Sequence, residues 1–228
     1  MDRYSYVSGG SVLVLSPMLE RSQRDDFTAS TLYMQLASTH KHPEFKDFDS
    51  WCEVYSLLLR RLHFNVLGTA GDVYTLGREG HVSVASVIDN ALERCFSREQ
   101  IALINPALQS LSAGTSNGTS LQVLTRHAVE PVIGTSESTD SQGLTRIRLQ
   151  VGLVDEAATL KMLRISFAVA EPLNSNFMSQ QFMADRINGS VHLLCFQAQL
   201  SDEYEDFSRS TVLSILGTRR EDEIVELH

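Results

Sequence analysis

The histidines, the cysteines and a few acidic clusters are the residues whose types could do chemistry, so their spacing comes first. His40 and His42, followed by Glu44, Asp47 and Asp49, form the most metal-like grouping. Two imidazoles two apart can ligate from one face of an extended segment, but a stable site takes three or four ligands. A histidine pair at a helix end beside Pro43 reads as a solvated terminus, and no metal ligand is assigned. His63, His127 and His192 have no nucleophile at a diagnostic spacing. His192 shares a strand face with Leu194 and Phe196, which reads as a sheet histidine rather than a base.

Other motifs fall short in the same way. No Gly-x-Ser-x-Gly elbow is present, so the exposed-serine arrangement of an acyl-transfer site is missing. Gly77-Arg78-Glu79-Gly80 precedes a helix, as a phosphate loop does, but no Gly-Lys-Ser/Thr follows and Glu79 would repel an anion. Asn117-Gly-Thr and Asn188-Gly-Ser match the glycosylation pattern, which needs a secretory route. The acidic run Asp202–Asp206 is accounted for by the positive end of a helix dipole. Cys95, between Arg94 and Phe96, is the single candidate for a reactive thiol. No catalytic, cofactor-binding or metal residue is therefore assigned, no cofactor is expected, and the reading leans away from an enzyme.

The totals narrow the class of partner. The chain has 228 residues, 43% of them hydrophobic, and a formal net charge of -9. That is ample material for a core. An acidic chain repels phosphate backbones, and the pairs Arg60-Arg61 and Arg219-Arg220 are too short to override this, so nucleic acid is excluded. The three cysteines, Cys52, Cys95 and Cys195, share no close spacing and sit in apolar-periodic segments, which reads as three buried free thiols in a reducing compartment. The N-terminus lacks a basic segment and has only a short apolar run, Val12–Leu15, so no signal peptide is expected. No stretch is apolar enough to span a membrane as a helix. The expected location is the cytoplasm, with export by a non-classical route left open.

Helical signals dominate the first part. Ser16-Pro17 reads as a cap and first helical residue. Phe27, Leu32, Met34 and Leu36 then give an apolar face that stops before Pro43. Ser50-Trp51-Cys52-Glu53 reads as a capping box, with Trp51, Tyr55, Leu58 and Leu62 on one face. Residues 65–80 read as two short strands around Ala70-Gly71-Asp72, followed by a helix over Val82–Cys95. Ser97 and Gln100 form a second capping box. Asn105-Pro106 is expected to interrupt the helix that follows.

Beyond Ser112 the period changes to two. Leu121 and Val123 are expected to begin a strand, Val129–Ile133 an edge strand limited by Pro131, and GTSESTDSQG (134–143) a loop. The strongest signal is a hairpin over 144–170. Ile147, Leu149, Val151 and Leu153 alternate with Arg146, Arg148, Gln150 and Gly152; Leu163, Ile165, Phe167 and Val169 alternate with Met162, Arg164, Ser166 and Ala168. A further strand covers 191–200. A closing helix is read over 201–217, with a frayed tail beyond.

These readings make a single α+β domain over 1–228: residues 1–112 mainly helical, 113–200 mainly β, and 201–217 a closing helix. The antiparallel sheet of the hairpin and strand 191–200 is expected to carry its helices on one face. The arginines 146, 148 and 164 share the other strand face, which suits an acidic partner or, as is expected first, the chain's own acidic run Asp202–Asp206 folded back on it. The function expected first is a non-enzymatic interaction or assembly protein, acting through a protein partner or self-association. The alternative is a soluble, toxin-like effector that perturbs or forms pores in membranes, since amphipathic strands flanked by amphipathic helices are what such proteins convert.

Overall fold

The alternation over the expected hairpin builds the centre of the molecule. The computed structural model describes residues 4–77, 79–114, 118–131 and 144–227. In chain order the elements are β1 (Tyr4–Ser8), β2 (Ser11–Leu15), α1 (Arg21–Lys41), α2 (Phe48–Arg61), β3 (Phe64–Tyr74), β4 (His81–Ser83), α3 (Val84–Cys95), α4 (Arg98–Ala113) and α5 (Thr119–Ala128). There follow β5 (Val129–Pro131), β6 (Thr145–Val154), β7 (Thr159–Val169), β8 (Gln181–Met183), β9 (Ile187–Leu200), α6 (Glu203–Phe207), α7 (Arg209–Leu216), α8 (Arg219–Glu223) and β10 (Ile224–Leu227).

The chain is α+β, with an eight-stranded sheet in the order β10-β1-β2-β6-β7-β9-β3 and β5 beside β6. The pairing is antiparallel throughout except for β2 on β6, which is parallel. β2 and β5 share one edge of β6, pairing with residues 150–154 and 145–147 respectively. A small ladder of β4 and β8 stands apart.

Helices cover both faces of the sheet, not one as the sequence pattern suggests. Ile147, Leu149, Val151, Leu163, Ile165 and Phe167 pack with residues of α3, α4 and α5. On the opposite face Leu13, Leu15, Leu160, Met162 and Phe196 pack with α1, α2, α6 and α7. Burial on two faces explains why β6 and β7 are apolar or inaccessible at almost every position. Gly152 is required by this closeness: a Cβ there would stand 2.7 Å from a methyl of Leu13 and 3.1 Å from the Met162 methyl.

Several local expectations are corrected. The first long helix starts at Arg21 with Glu20 as its cap, not at Pro17. The next starts at Phe48, with Asp47 before it, so Ser50 and Glu53 lie inside the helix and form no capping box. Residues 64–74 are one continuous strand, because pairing with β9 over ten positions outweighs the glycines. Leu121 and Val123 lie in a helix, α5, whose buried residues Leu121, Val123, Leu124 and Ala128 follow a helical period. Pro106 sits inside α4. Both Pro106 and Ala102, whose carbonyl loses its donor, are exposed, so that carbonyl is not buried without a partner. The closing helix is split at Ser208, and the tail is not frayed but adds β10 to β1. The Ser97–Gln100 capping box is present as expected. The loop 134–143 lies outside the described residues.

The cysteine expectation is overturned too. Cys95 at the end of α3 is disulfide-bonded to Cys195 in β9, with Cα atoms 6.2 Å apart, and only Cys52 is free. A separation of 100 residues leaves no local spacing that could show the pair. A crosslink closing so long a loop contributes about 4–5 kcal/mol in the chain-entropy account.

Gln35 fixes the N-terminal hairpin under α1. Its Oε1 accepts from Gly10 N–H at 2.8 Å, and its Nε2 donates to Ser8 O at 2.9 Å and Ser11 Oγ at 2.8 Å. All of these groups are buried. Gln35→Met keeps the volume but strands buried polar atoms, each costing about 1–3 kcal/mol. With three such groups, urea unfolding is expected to show a loss of about 3 kcal/mol or more in total.

Candidate functional site

The α1/α2 side of the sheet is where chemistry collects. Side-chain parity and register together bring four polar residues into adjoining positions on β6 and β7: Arg148 opposite Ser166, and Gln150 opposite Arg164. All four are buried, Arg164 completely (0% exposed) and Arg148 nearly so (4%). Helix α2 lies across them because its buried residues Phe48, Trp51, Cys52, Tyr55 and Leu59 form one stripe.

Aromatic rings take the place that carboxylates usually hold. The Arg164 guanidinium lies 3.8 Å from the Tyr55 ring centroid, 4.5 Å from that of Phe196 and 5.7 Å from that of Trp51. Arg148 lies 4.1 Å from the Phe45 centroid and 4.5 Å from that of Trp51. Hydrogen bonds are few. Arg164 Nη1 donates to Cys52 O at 3.5 Å, and Arg148 Nη2 donates to Thr39 Oγ1 at 3.2 Å. The same Thr39 oxygen accepts from the Trp51 indole at 3.0 Å. Among the described residues, Arg164 Nε and Nη2, Arg148 Nη1 and Gln150 Oε1 find no hydrogen-bond partner.

Burial governs the titration of this cluster. It pulls the Arg148 guanidinium down to about 10 and pushes the Tyr55 phenol up to about 12. The Cys52 thiol is also raised, again by burial, with Arg164 opposing. The magnitudes nearly cancel. Burying a cation costs several kcal/mol even after relaxation, while each desolvated ring returns about 2 kcal/mol. Three rings around Arg164 offset the penalty without a clear surplus. The cluster is close to neutral for stability.

The expected acidic partner is absent from this face. Glu203 pairs with His63 at 2.9 Å and Glu205 with Arg209, so the acidic run serves the α6/α7 corner. That corner also holds Arg209 against buried Asp26, a two-pronged contact at 2.8 and 2.6 Å joining α7 to α1. Burial nonetheless holds the Asp26 carboxyl above its ordinary range. Arg146, grouped by sequence with the other two arginines, is only partly buried and stands 4.0 Å from Glu130.

The remaining residues named from sequence are scattered. His40 and His42 end α1, and no group of three or more His, Cys, Asp or Glu is placed to hold a metal ion among the described residues. His127 pairs with Glu223 at 2.8 Å, and burial lowers its pKa. Cys95 is no reactive thiol, being oxidised. Of Gly77–Gly80, Arg78 lies outside the described residues, as does Asn117; Asn188 lies in β9. His192 does reach a cavity. It edges onto Phe48 at the mouth of a groove of about 700 Å³ between α2 and the β9–β3 pair, lined also by Cys52, Leu57, Val73 and Leu194. Sequence reasoning missed Trp51, Tyr55 and Phe196 as partners of the arginines, since nothing in their spacing links them.

Fold and site together define a sheet held between two helical layers, with two buried arginines under one of them that make no salt bridge among the described residues. No family model and no curated protein sequence matches the chain. Solved structures that it resembles include the activated Cyt2Ba monomer from Bacillus thuringiensis subsp. israelensis, at 10% identity over 86% of this chain and 99% of that one, TM-score 0.47. A delta-endotoxin is similar at 9% identity over 85% of this chain and 81% of that one, TM-score 0.45. The Evf virulence factor is similar at 10% identity over 92% and 83%, TM-score 0.41. At these values the likeness is one of outline alone.

The near-cancellation at Arg164 is testable. Arg164→Met fills a similar volume without a charge, and buried ions replaced in this way often leave stability unchanged or raise it by about 1–4 kcal/mol. Thermal and urea unfolding are expected to show no loss; a fall of several kcal/mol would make the guanidinium a structural support.

Proposed function

We propose that the chain perturbs membranes, by opening its helical layers so that central strands enter the bilayer. The observation that carries this reading is the two-sidedness of β6 and β7. A sheet buried on both faces has no physical need for polar residues on either, yet Arg148, Gln150, Arg164 and Ser166 are held on one face with several polar atoms unbonded. The other face is Ile147, Leu149, Val151, Leu163, Ile165 and Phe167 without interruption. Over residues 147–151 and 163–167 that is the pattern of a strand with lipid on one side and water on the other, although Leu160 and Met162 continue the polar face as apolar residues. The lengths agree: β6, β7, β9 and β3 have 10, 11, 14 and 11 residues and are successive antiparallel neighbours. A tilted spanning strand takes about 9–11 residues. In such a state the guanidiniums gain the water that they lack beneath α2. No described helix is long and apolar enough to cross a membrane, so strands are the elements to test.

A second reading, interaction or assembly without a membrane, is favoured by β3. It is the last strand of the sheet, and its outer edge pairs with nothing among the described residues. Leu67 and Val73 there are each 57% exposed, and the strand contains no Lys, Arg or Pro to discourage pairing.

Release of a trapped dye from phosphatidylcholine vesicles, measured from about pH 5 to 8, separates the two. Leakage is expected to rise toward the low end of this range as carboxyls that burial holds above their ordinary range, Asp26 among them, take up protons and weaken the charge opposing insertion. Arg148→Met with Arg164→Met is expected to fold and to leak less. No leakage and no lipid binding at any pH would end the membrane reading. A strict monomer by light scattering that captures no partner would count equally against assembly.

A further inference from the structure

Three consecutive residues at the end of α3 grip three different strands. Arg94 Nη1 donates to Asp72 Oδ2 of β3 at 2.7 Å, and its guanidinium lies 4.1 Å from the Tyr74 ring centroid. Cys95 is joined to Cys195 of β9. Phe96 receives the Lys161 ammonium of β7 at 5.2 Å from its ring centroid, and the same Nζ donates to Gln100 Oε1 at 3.3 Å. The other end of α3 is held separately, by the β4–β8 ladder and by Ala85 N–H donating to Met178 O.

The non-covalent members of this grip face water. Arg94 and Asp72 are 45% and 47% exposed, where screening leaves an ion pair little net strength. The covalent member therefore dominates. Both of its cysteines are partly exposed. It stands at the corner where α3 turns into α4, over the apolar face of the sheet.

We propose that the Cys95–Cys195 bond is a redox-gated clasp: oxidised, it holds the α3–α4 corner on the sheet, and reduced, it lets that corner lift. The reductant is a dithiol. Its first thiolate attacks one cysteine sulfur, expelling the other cysteine as thiolate and forming a mixed disulfide; its second thiol then closes on the first. Two electrons and two protons pass to the protein, leaving two cysteine thiols and an oxidised dithiol. The clasp deepens the membrane reading, since lipid can reach the apolar face only if this corner departs, but its test needs no membrane.

Hydrogen exchange on the whole chain, with and without dithiothreitol and with thiols counted by mass, reads the clasp directly. Amides over 84–113 are expected to gain at least about 30-fold in exchange rate relative to those of α1 and β6, whose rates rise only with the lowered global stability. Cys95→Ser with Cys195→Ser should show the fast rates without reductant and no further response. Cys52→Ser should respond as the parent does. Unchanged exchange over 84–113 after full reduction overturns the clasp, and so does a uniform rise across the chain, which signifies general destabilisation. Local opening without vesicle leakage counts against the membrane reading and leaves the clasp standing.

Discussion

Two guanidiniums are held out of water beneath α2 with rings around them in place of carboxylates, and that constraint fixes how one half of the molecule is joined. Trp51 serves both arginines, and Thr39 accepts from both Trp51 and Arg148, so the end of α1, the start of α2 and strand β6 meet at one hydroxyl. Each partner is geometrically demanding, since a cation must stand over a ring face and an indole N–H has one direction. The opposite layer buries mostly aliphatic and phenyl surface, and its directed contacts gather at the end of α3, around the disulfide, Arg94 and Phe96.

The two layers are thus attached by different physics. The α1/α2 layer sits on polar atoms that are incompletely bonded; its hold combines burial of Leu13, Met162 and Phe196 with cation–ring contacts. The α3–α5 layer is held mainly by apolar burial and a covalent bond, with exposed polar contacts at the end of α3. Conditions that weaken one need not weaken the other. Reduction removes a fixed point of the second, while substitution at Arg148 or Arg164 changes the contacts of the first.

How much of the fold is legible in the sequence follows from how local each signal is. The alternation of residues 145–154 and 159–169 is local, so the hairpin and the shared face of Arg148 and Arg164 can be read from the residue order alone. The Ser97–Gln100 box is local too, and it stands where the sequence puts it. What covers a strand face is not local: the acidic run Asp202–Asp206 is the natural partner of the arginines by charge, but Tyr55, Trp51 and Phe196 arrive from two distant segments. β3 illustrates the same limit, because glycines at 68 and 71 break the pattern while ten paired positions on β9 restore the strand. The Cys95–Cys195 bond depends wholly on tertiary approach. Of the candidate site, then, the charged half is legible in the sequence and the aromatic half is not.

The parallel pairing of β2 with β6 has a consequence for how the chain reaches this state. Residues 11–15 lie against residues 150–154, and five helices stand between them in sequence among the described residues. Closing so long an interval costs entropy before any contact repays it, whereas β6 and β7 meet across a turn of a few residues. The β6–β7 pair therefore has the kinetic advantage, and the seam between β2 and β6 closes late. Until it does, the edge of β6 carrying Gln150–Val154 is bare, and the hazard facing the newly made chain is mispairing at that seam rather than failure of the hairpin.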